Sequence, residues 1–219
     1  LIIHFFRACN LDILDSNKVQ IFFFSILSEV ILIFVLIIIF IQLYFEFYSL
    51  INKILSKKQK FLLFLISFLI LIYIFIFILC IAINFLDKQN NNFFILMMSI
   101  SVCIASDIGG YVFGKFFKGK KLTSISPKKT YSGLFGAYIL SVMSSYLIFH
   151  NFFTLNYIIT FSVIVSTVSQ SGDLFVSYLK RKAKLKDTGE FLPGHGGLLD
   201  RLDGILFAIP FALALSLYQ

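Results

Sequence analysis

Long apolar runs separated by short charged segments dominate the pattern of hydrophobic and polar positions along this chain. A helix needs about 20 apolar residues to cross the hydrocarbon core of a membrane. The pattern predicts spans at residues 19–44, 61–86, 93–114, 131–150, 155–178 and 198–217. The run from Val19 to Ile51 exceeds one span, which indicates a tilted helix with an interfacial extension past Glu46. The expected fold class is all-α, a polytopic membrane helix bundle of about six spans.

The composition is typical of a membrane protein. Apolar residues make up 59% of the 219 positions, charged residues make up 14%, and the mean hydropathy is +0.93. These values exclude a water-soluble domain of ordinary composition. Cys9, Cys80 and Cys103 form no C-x-x-C pair, which argues against a disulfide framework and a zinc site. Because the first methionine is Met97, we expect one or more N-terminal spans to be missing.

Basic residues are concentrated in alternate loops. The loops after the first, third and fifth predicted spans hold 15 of the 19 lysines and arginines, so the net charge of +8 is one-sided. Cytoplasmic loops of membrane proteins are enriched in Lys and Arg, so the pattern places these loops in the cytoplasm and both ends of the chain outside. Most of these side chains are expected to face solvent and lipid headgroups. We therefore expect membrane lipids as partners and no nucleic acid.

The end of the third span joins an acid, several glycines and a basic loop. Asp107 lies near the cytoplasmic end of this span, and the loop contains Ser-Pro-Lys-Lys-Thr at residues 126–130. A turn at the Ser-Pro step would present two cations and a hydroxyl, which suits a phosphorylated substrate. Gly109, Gly110 and Gly114 have a second interpretation, because small residues let helices pack closely, within one chain or between two copies in a homodimer.

The fifth span carries an acid inside an apolar run. Asp173 lies in this run, and Ser177 follows one helical turn further along the same face. A carboxylate at membrane depth is costly unless it meets a cation, so an acid here indicates a functional site. The alternative is a structural ion pair, for which Arg201 is a candidate partner.

A glycine-rich turn and two further acids follow. Residues 193–197, Pro-Gly-His-Gly-Gly, precede a helix that begins near residue 198, and Asp200 and Asp203 share one face of it. Backbone N–H groups at such a helix start favour a phosphate, and acids from two helices suit Mg²⁺. Asp200 by itself is also compatible with an ordinary first-turn acid. His195 is more typical of a tight turn than of proton transfer or metal ligation.

These motifs together resemble the signature of phosphatidate cytidylyltransferases, also called CDP-diacylglycerol synthases. The resemblance includes K-D-x-x-x-x-x-P-G-H-G-G-x-x-D-R-x-D at residues 186–203, and segments 107–114 and 126–130 are similar to two upstream blocks. Membership would imply transfer of CMP from CTP to phosphatidic acid, giving CDP-diacylglycerol and pyrophosphate. It would also imply a bacterial cytoplasmic membrane and a site on the cytoplasmic side.

The resemblance implies a role for each group of motif residues. Mg²⁺ is expected at Asp173, Asp200 and Asp203, with room for a second cation. The catalytic set comprises these aspartates with Lys180, Arg181 and His195. The substrate-binding set comprises Ser126, Lys128, Lys129, Thr130, Asp107, Tyr111, Lys186, Asp187, Gly194, Gly196, Gly197 and Arg201. Residues 1–92 are expected to form lipid-facing N-terminal spans, and residues 93–219 the catalytic membrane domain.

Two departures from the family pattern keep alternatives open. Ser132 stands where the family tends to have Glu, and Gly110 stands where it tends to have Ala. One alternative is a CTP-dependent enzyme for another lipid, such as a polyprenol kinase or an archaeal-type lipid cytidylyltransferase. Another is a cation-coupled transporter, whose acids would be spread through the membrane depth. A third is a fragment that keeps the outline of the site without activity.

Overall fold

The structure, a computed structural model, describes residues 16–55, 59–86, 91–189, 191 and 196–216. Six helices make up most of this part of the chain: α1 (Ser16–Ile54), α2 (Lys60–Leu86), α3 (Asn91–Phe117), α4 (Tyr131–Phe149), α5 (Leu155–Lys182) and α6 (Leu199–Ser216). In this part of the chain, five stretches are long and apolar enough to cross a membrane: Ile26–Ile54, Lys60–Phe85, Asn92–Phe117, Tyr131–Phe149 and Leu155–Lys182. The predicted all-α, multi-pass membrane architecture is confirmed.

The first and last predicted spans differ from the helices observed. The first was predicted at residues 19–44 with an extension past Glu46, and α1 continues without a break to Ile54. The last, α6, has 18 residues and carries Asp200, Arg201 and Asp203 within its first two turns. Its charged beginning separates it from the five apolar helices.

The chain divides into two compact units, one ending at Ile39 and one beginning at Phe40. In the described part of the first unit, large apolar side chains such as Phe24, Val30 and Phe34 are exposed, as expected of a helix surrounded by lipid. The second unit holds the rest of α1 and the helices from α2 to α6. The functional division at residue 92 stays a prediction.

The core of the second unit forms around α3. This helix packs against α2, α4, α5 and α6. Small polar side chains allow the close approach: the hydroxyls of Ser106 and Ser166 lie 2.9 Å apart between α3 and α5, and the Ser141 hydroxyl of α4 donates to the Val102 carbonyl at 3.2 Å. Buried hydroxyls satisfied in this way stabilise helix contacts where apolar burial against lipid adds little.

One end of this unit gathers basic loops. Leu50 and Ile51 of α1 and Ala183 after α5 form a buried cluster, against which Leu63 of α2 and Leu185 pack. The basic loops that follow α1 and α5 therefore lie at the same end of this unit. Their common position agrees with the alternation of charge along the chain.

The glycines of α3 pack against α4 within the chain, which is one of the two interpretations of this motif. A Cβ atom at Gly109 would lie against the backbone carbonyl of Gly136, a contact too close to be tolerated, whereas a Cβ at Gly110 would have the Gly133 oxygen as its nearest neighbour at 3.9 Å. The two adjacent glycines thus differ sharply in the space around them.

We expect Gly109→Ala to lower the free energy of unfolding by about 1–3 kcal/mol, because two helix backbones must move apart. Gly110→Ala is the matched control and is expected to be neutral or to stabilise by about 0.5–1 kcal/mol through helix propensity. Thermal unfolding in detergent compares the two variants. Equal melting temperatures would contradict the packing role of Gly109.

Candidate active site

The loop between α3 and α4 is closed by backbone hydrogen bonds. The Leu122 N–H donates to the Lys129 carbonyl at 2.8 Å, and the Lys129 N–H donates to the Ser126 carbonyl at 3.0 Å. The second bond closes a turn with Pro127 at its second position, where the fixed φ of proline suits a turn. The predicted Ser-Pro turn is confirmed, and it carries Lys128 and Lys129 to the wall of a cavity.

This cavity has a volume of about 260 Å³ and lies between α3, the basic loop, the start of α4 and α5. Its lining residues are Ser106, Asp107, Gly110, Tyr111, Leu122, Ser126, Lys128, Lys129, Thr130, Gly133, Leu134, Gln170 and Asp173. Concave sites with a few convergent polar groups are typical of small-molecule binding. Motifs that lie more than 60 positions apart in the sequence therefore share one cavity.

Thr130 and Ser132 organise the start of α4. The Thr130 hydroxyl accepts from the Gly133 N–H at 3.1 Å and caps the helix. The Ser132 hydroxyl lies 3.0 Å from that of Thr130 and accepts from the Gly119 N–H at 3.3 Å. At the position where an acid was expected by resemblance, this chain therefore has a hydroxyl that ties the loop to the helix.

Asp173 of α5 forms an ion pair with Lys129 of the loop. The Lys129 Nζ also lies 3.5 Å from the Gln170 carbonyl, and the Ser177 hydroxyl donates to Asp173 Oδ1 at 3.3 Å. The shared face of Asp173 and Ser177 is thus confirmed. Asp173 pairs with Lys129, whereas the sequence had suggested Arg201 as the partner in a structural ion pair.

Two more acids lie beside this ion pair. Asp203 of α6 is within hydrogen-bonding reach of Asp173, and Asp107 of α3 is close enough to interact electrostatically with Asp173 and Lys129. Lys180 interacts with Asp173 and Asp203 in the same way. Three helices each contribute one acid, and the acids outnumber the two lysines. Since like charges repel at short range, either an additional cation or a proton shared between carboxyl groups would relieve the repulsion.

Asp200 belongs to a second set of hydrogen bonds. Its Oδ1 accepts from Lys180 Nζ at 2.7 Å, and its Oδ2 accepts from the N–H groups of Thr188 at 2.8 Å and Gly197 at 3.0 Å. The side chains of Lys180 and Asp200 are 13% and 9% exposed. Asp200 therefore fixes the positions of Thr188 and Gly197 near the start of α6 and holds Lys180 beside the acidic cluster.

The donor groups present fit Mg²⁺ better at Asp173 and Asp203 than at Asp200. The first two bring carboxylates, the ligand type that Mg²⁺ prefers, from facing helices. The oxygens of Asp200 accept from Lys180 and from two backbone N–H groups, whereas those of Asp173 contact the side chains of Ser177 and Lys129, which a cation can displace. Among the described residues, no group of three or more His, Cys, Asp or Glu side chains has the arrangement of a metal site. The metal site with three aspartates stays a prediction.

The backbone at the start of α6 is already occupied. The Gly197 N–H donates to Asp200, and those of Leu198 and Leu199 each donate to the Glu46 carboxylate at 2.9 Å. In the described part of this turn, the expected phosphate cradle is therefore replaced by carboxylates of the chain itself. Gly196 remains required for its backbone, because its φ of +85° disfavours a side chain.

Several predicted residues lie apart from the cavity. Arg181, Lys186, Asp187 and Arg201 are exposed and are not among its lining residues. The Arg181 guanidinium donates to the Leu185 carbonyl at 3.3 Å, which fixes the end of α5. Their substrate contacts stay predictions. Gly194 and His195 lie outside the described residues.

Sequence reasoning missed Glu46 and Thr188. Glu46 lies in α1 with 4% of its surface exposed, and its Oε2 accepts from the Thr188 hydroxyl at 2.7 Å. An acid inside an apolar run was the signal that identified Asp173, and the same signal applies to Glu46. Thr188 carries no comparable signal in the sequence.

Comparison with known proteins agrees with this geometry. A family model described as "Cytidylyltransferase family" matches residues 9–218. A phosphatidate cytidylyltransferase of Rickettsia felis is 39% identical over 145 residues, which cover 62% of this chain and 64% of the relative. A protein of the same name from Helicobacter pylori strain 26695 is 43% identical over 111 residues, which cover 48% of this chain and 41% of the relative. Another from a Synechocystis species is 37% identical over 113 residues, which cover 49% of this chain and 38% of the relative. The chain thus matches less than two thirds of the length of these curated relatives.

Proposed function

Because the chain belongs to the cytidylyltransferase family, we propose that it transfers CMP from CTP to phosphatidic acid. A phosphate oxygen of the lipid attacks the α-phosphorus of CTP, a new P–O bond forms, and pyrophosphate leaves with the electrons of the broken P–O bond. The observation that carries the proposal is the cavity in which Lys128, Lys129 and Asp173 meet. Relatives named phosphatidate cytidylyltransferase support this choice of reaction.

The chain's residues would act by positioning and by charge neutralisation, on which this type of transfer depends. Lys128 and Lys129 would bind phosphate oxygens of the substrates, and Lys180, which interacts with Asp173 and Asp203, would neutralise further negative charge. Asp173 and Asp203 would hold Mg²⁺, which supplies electrostatic stabilisation of the pentavalent transition state when bound. Asp107 would complete the negative side of the cavity.

The position of the acids favours an enzyme over a transporter. Asp107 and Asp203 each interact with Asp173, and Asp200 is linked to this group through Lys180. An ion pathway would instead spread its acids through the membrane depth. We propose that this cluster faces the cytoplasm of a bacterial cell, since the basic loops lie beside it and CTP is a cytoplasmic nucleotide.

The reaction is tested with the purified 219-residue chain in lipid, Mg²⁺ and CTP labelled at either the α- or the γ-phosphate. We expect label from the α-phosphate, and none from the γ-phosphate, to enter the lipid when phosphatidic acid is added. Entry of γ-label would indicate a lipid kinase, and incorporation that needs a different lipid would indicate another cytidylyltransferase. Absence of any transfer would overturn the proposal for this chain.

A further inference from the structure

Glu46 is a buried acid outside the motifs that define the site. Each of its carboxylate oxygens accepts two hydrogen bonds: Oε1 from Gln42 Nε2 at 2.7 Å and from the Leu198 N–H, and Oε2 from the Thr188 hydroxyl and the Leu199 N–H. All four contacts are donors, which matches the acceptor-only character of an ionised carboxylate. Such complete satisfaction offsets the cost of burying the group.

The two backbone donors belong to the start of α6. N–H groups at a helix start have no partner inside their own helix, and the positive end of the helix dipole favours a negative charge there. Local side chains usually supply this charge, but here it comes from α1. Glu46 thus joins a helix of the N-terminal half to the helix that carries Asp200 and Asp203.

Two glycines leave room for this carboxylate. A Cβ atom at Gly197 would collide with both Glu46 and the Thr188 hydroxyl, and a Cβ at Gly189 would lie 3.3 Å from Glu46 Oε1. Glycine at position 197 is therefore explained by the space that the Glu46 side chain occupies. A bulky group at either position would push Glu46 away from α6.

Thr188 connects Glu46 to the site. Its hydroxyl oxygen lies 2.7 Å from Glu46 Oε2 and 3.1 Å from Asp200 Oδ2, and its N–H donates to the same Asp200 oxygen. A hydroxyl has one proton to donate, and the shorter contact assigns it to Glu46. Asp200 in turn holds Lys180 beside Asp173. A continuous series of hydrogen bonds therefore leads from α1 to the acidic cluster.

We propose that Glu46 is a positioning residue that fixes the first turn of α6 and, through Thr188 and Asp200, the place of Lys180 in the site. This inference rests on the proposed CMP transfer for its effect on rate. Glu46 is not among the residues that line the cavity, so its effect reaches the substrates through these neighbours. A catalytic contribution of this kind comes from orientation rather than from a new contact.

The test combines two measurements on Glu46→Gln, with Glu29→Gln as the matched control in α1. Hydrogen–deuterium exchange of the peptide covering residues 188–199 is expected to rise roughly tenfold in Glu46→Gln, because an amide replaces one of the two acceptor oxygens. The kcat for CMP transfer is expected to fall roughly tenfold or more, with the KM for phosphatidic acid within about twofold of wild type. Glu29→Gln is expected to change neither quantity.

Thr188 supplies an independent second variant. Thr188→Ser keeps the hydroxyl and is expected to retain activity, whereas Thr188→Val removes it and is expected to reproduce most of the loss in Glu46→Gln. The double variant Glu46→Gln/Thr188→Val is expected to be little worse than Glu46→Gln, because both changes break the same bond.

Unchanged exchange in Glu46→Gln would overturn the anchoring role. Faster exchange with an unchanged kcat, measured well below the melting temperature of the variant, would overturn the positioning role. Glu46 would then be a helix cap that affects only the structure. A wild-type protein that transfers no CMP would instead refute the proposed function and, with it, the effect of Glu46 on rate. The exchange measurement would still decide the anchoring of α6, so the two failures are distinguishable.

Discussion

Asp173→Asn is expected to lower the rate of CMP transfer roughly 10²–10³-fold, the scale observed when a charged group that stabilises a transition state is removed. Asp173 is the acid that interacts with every other charged group of the cluster described above: Lys129, Asp203, Asp107 and Lys180. The amide keeps the size of the side chain but cannot neutralise Lys129 or bind Mg²⁺ as a carboxylate does. The Mg²⁺ concentration required for half-maximal activity is therefore also expected to rise.

The control for this variant is Glu29→Gln, the same chemical change at an acid in the first unit of the chain. Initial rates with labelled CTP over a series of Mg²⁺ concentrations, together with melting temperatures in detergent, distinguish lost chemistry from lost folding. A variant that melts like wild type but transfers CMP at more than a tenth of the wild-type rate would contradict the central role of Asp173. Full activity with an unchanged dependence on Mg²⁺ concentration would also show that Asp173 is not a metal ligand.

Lys129→Met is expected to reduce the rate roughly 10²-fold, chiefly through a higher KM for CTP. Lys129 is the basic residue whose side chain both lines the cavity and pairs with Asp173. Methionine keeps most of the length of the side chain and removes the charge, so phosphate binding is lost with little change in volume. Initial rates at varied CTP concentration measure the effect on KM and kcat separately.

Lys121→Met is the matched control, because Lys121 is an exposed residue of the same loop and is not among the residues that line the cavity. It is expected to retain KM and kcat within about twofold. The combination of Lys129→Met with Asp173→Asn is expected to be much less than multiplicative, since the two side chains form one ion pair. A fully multiplicative loss would show that the two residues act separately.

Much of the fold followed from simple patterns. Apolar runs of the length of a membrane crossing predicted helices that the structure contains, with the first extended to Ile54. The extension has a physical cause: hydropathy marks the apolar part of a helix, whereas helical hydrogen bonding continues through a polar end that packs on other residues. Leu50 and Ile51 are buried beyond the predicted limit of that span.

The residues that line the cavity were predicted in part. Asp173, Asp203 and the Lys128–Lys129 loop stood out because charged residues near membrane spans require a reason, and the cavity brings most of this set together. The roles of Asp200 and Thr130 could be identified only in the structure. In a sequence, a side chain that caps a helix or binds backbone N–H groups cannot be distinguished from one that binds a ligand. Hydrogen-bond partners distinguish the two roles, and sequence spacing does not.

The glycines illustrate the same limit. Gly109 could have faced another helix of this chain or another copy of it, and only the path of α4 showed that Gly136 takes the neighbouring position. Gly197 was expected to admit a phosphate, and the structure shows that Glu46 uses the space. A glycine in a sequence predicts a close approach but does not identify what approaches.

The sequence by itself determined the membrane class, the helices and the chemical types in the site, because hydropathy, charge and local spacing act over a few helical turns. The tertiary structure decided which acid meets which cation, which N–H groups remain for a ligand, and the connection from Glu46 to Asp200. These choices depend on contacts between residues that lie from 20 positions apart, as in Lys180 with Asp200, to 153 positions apart, as in Glu46 with Leu199. Their energies come from short-range hydrogen bonds and desolvation, which the order of residues along one chain does not contain.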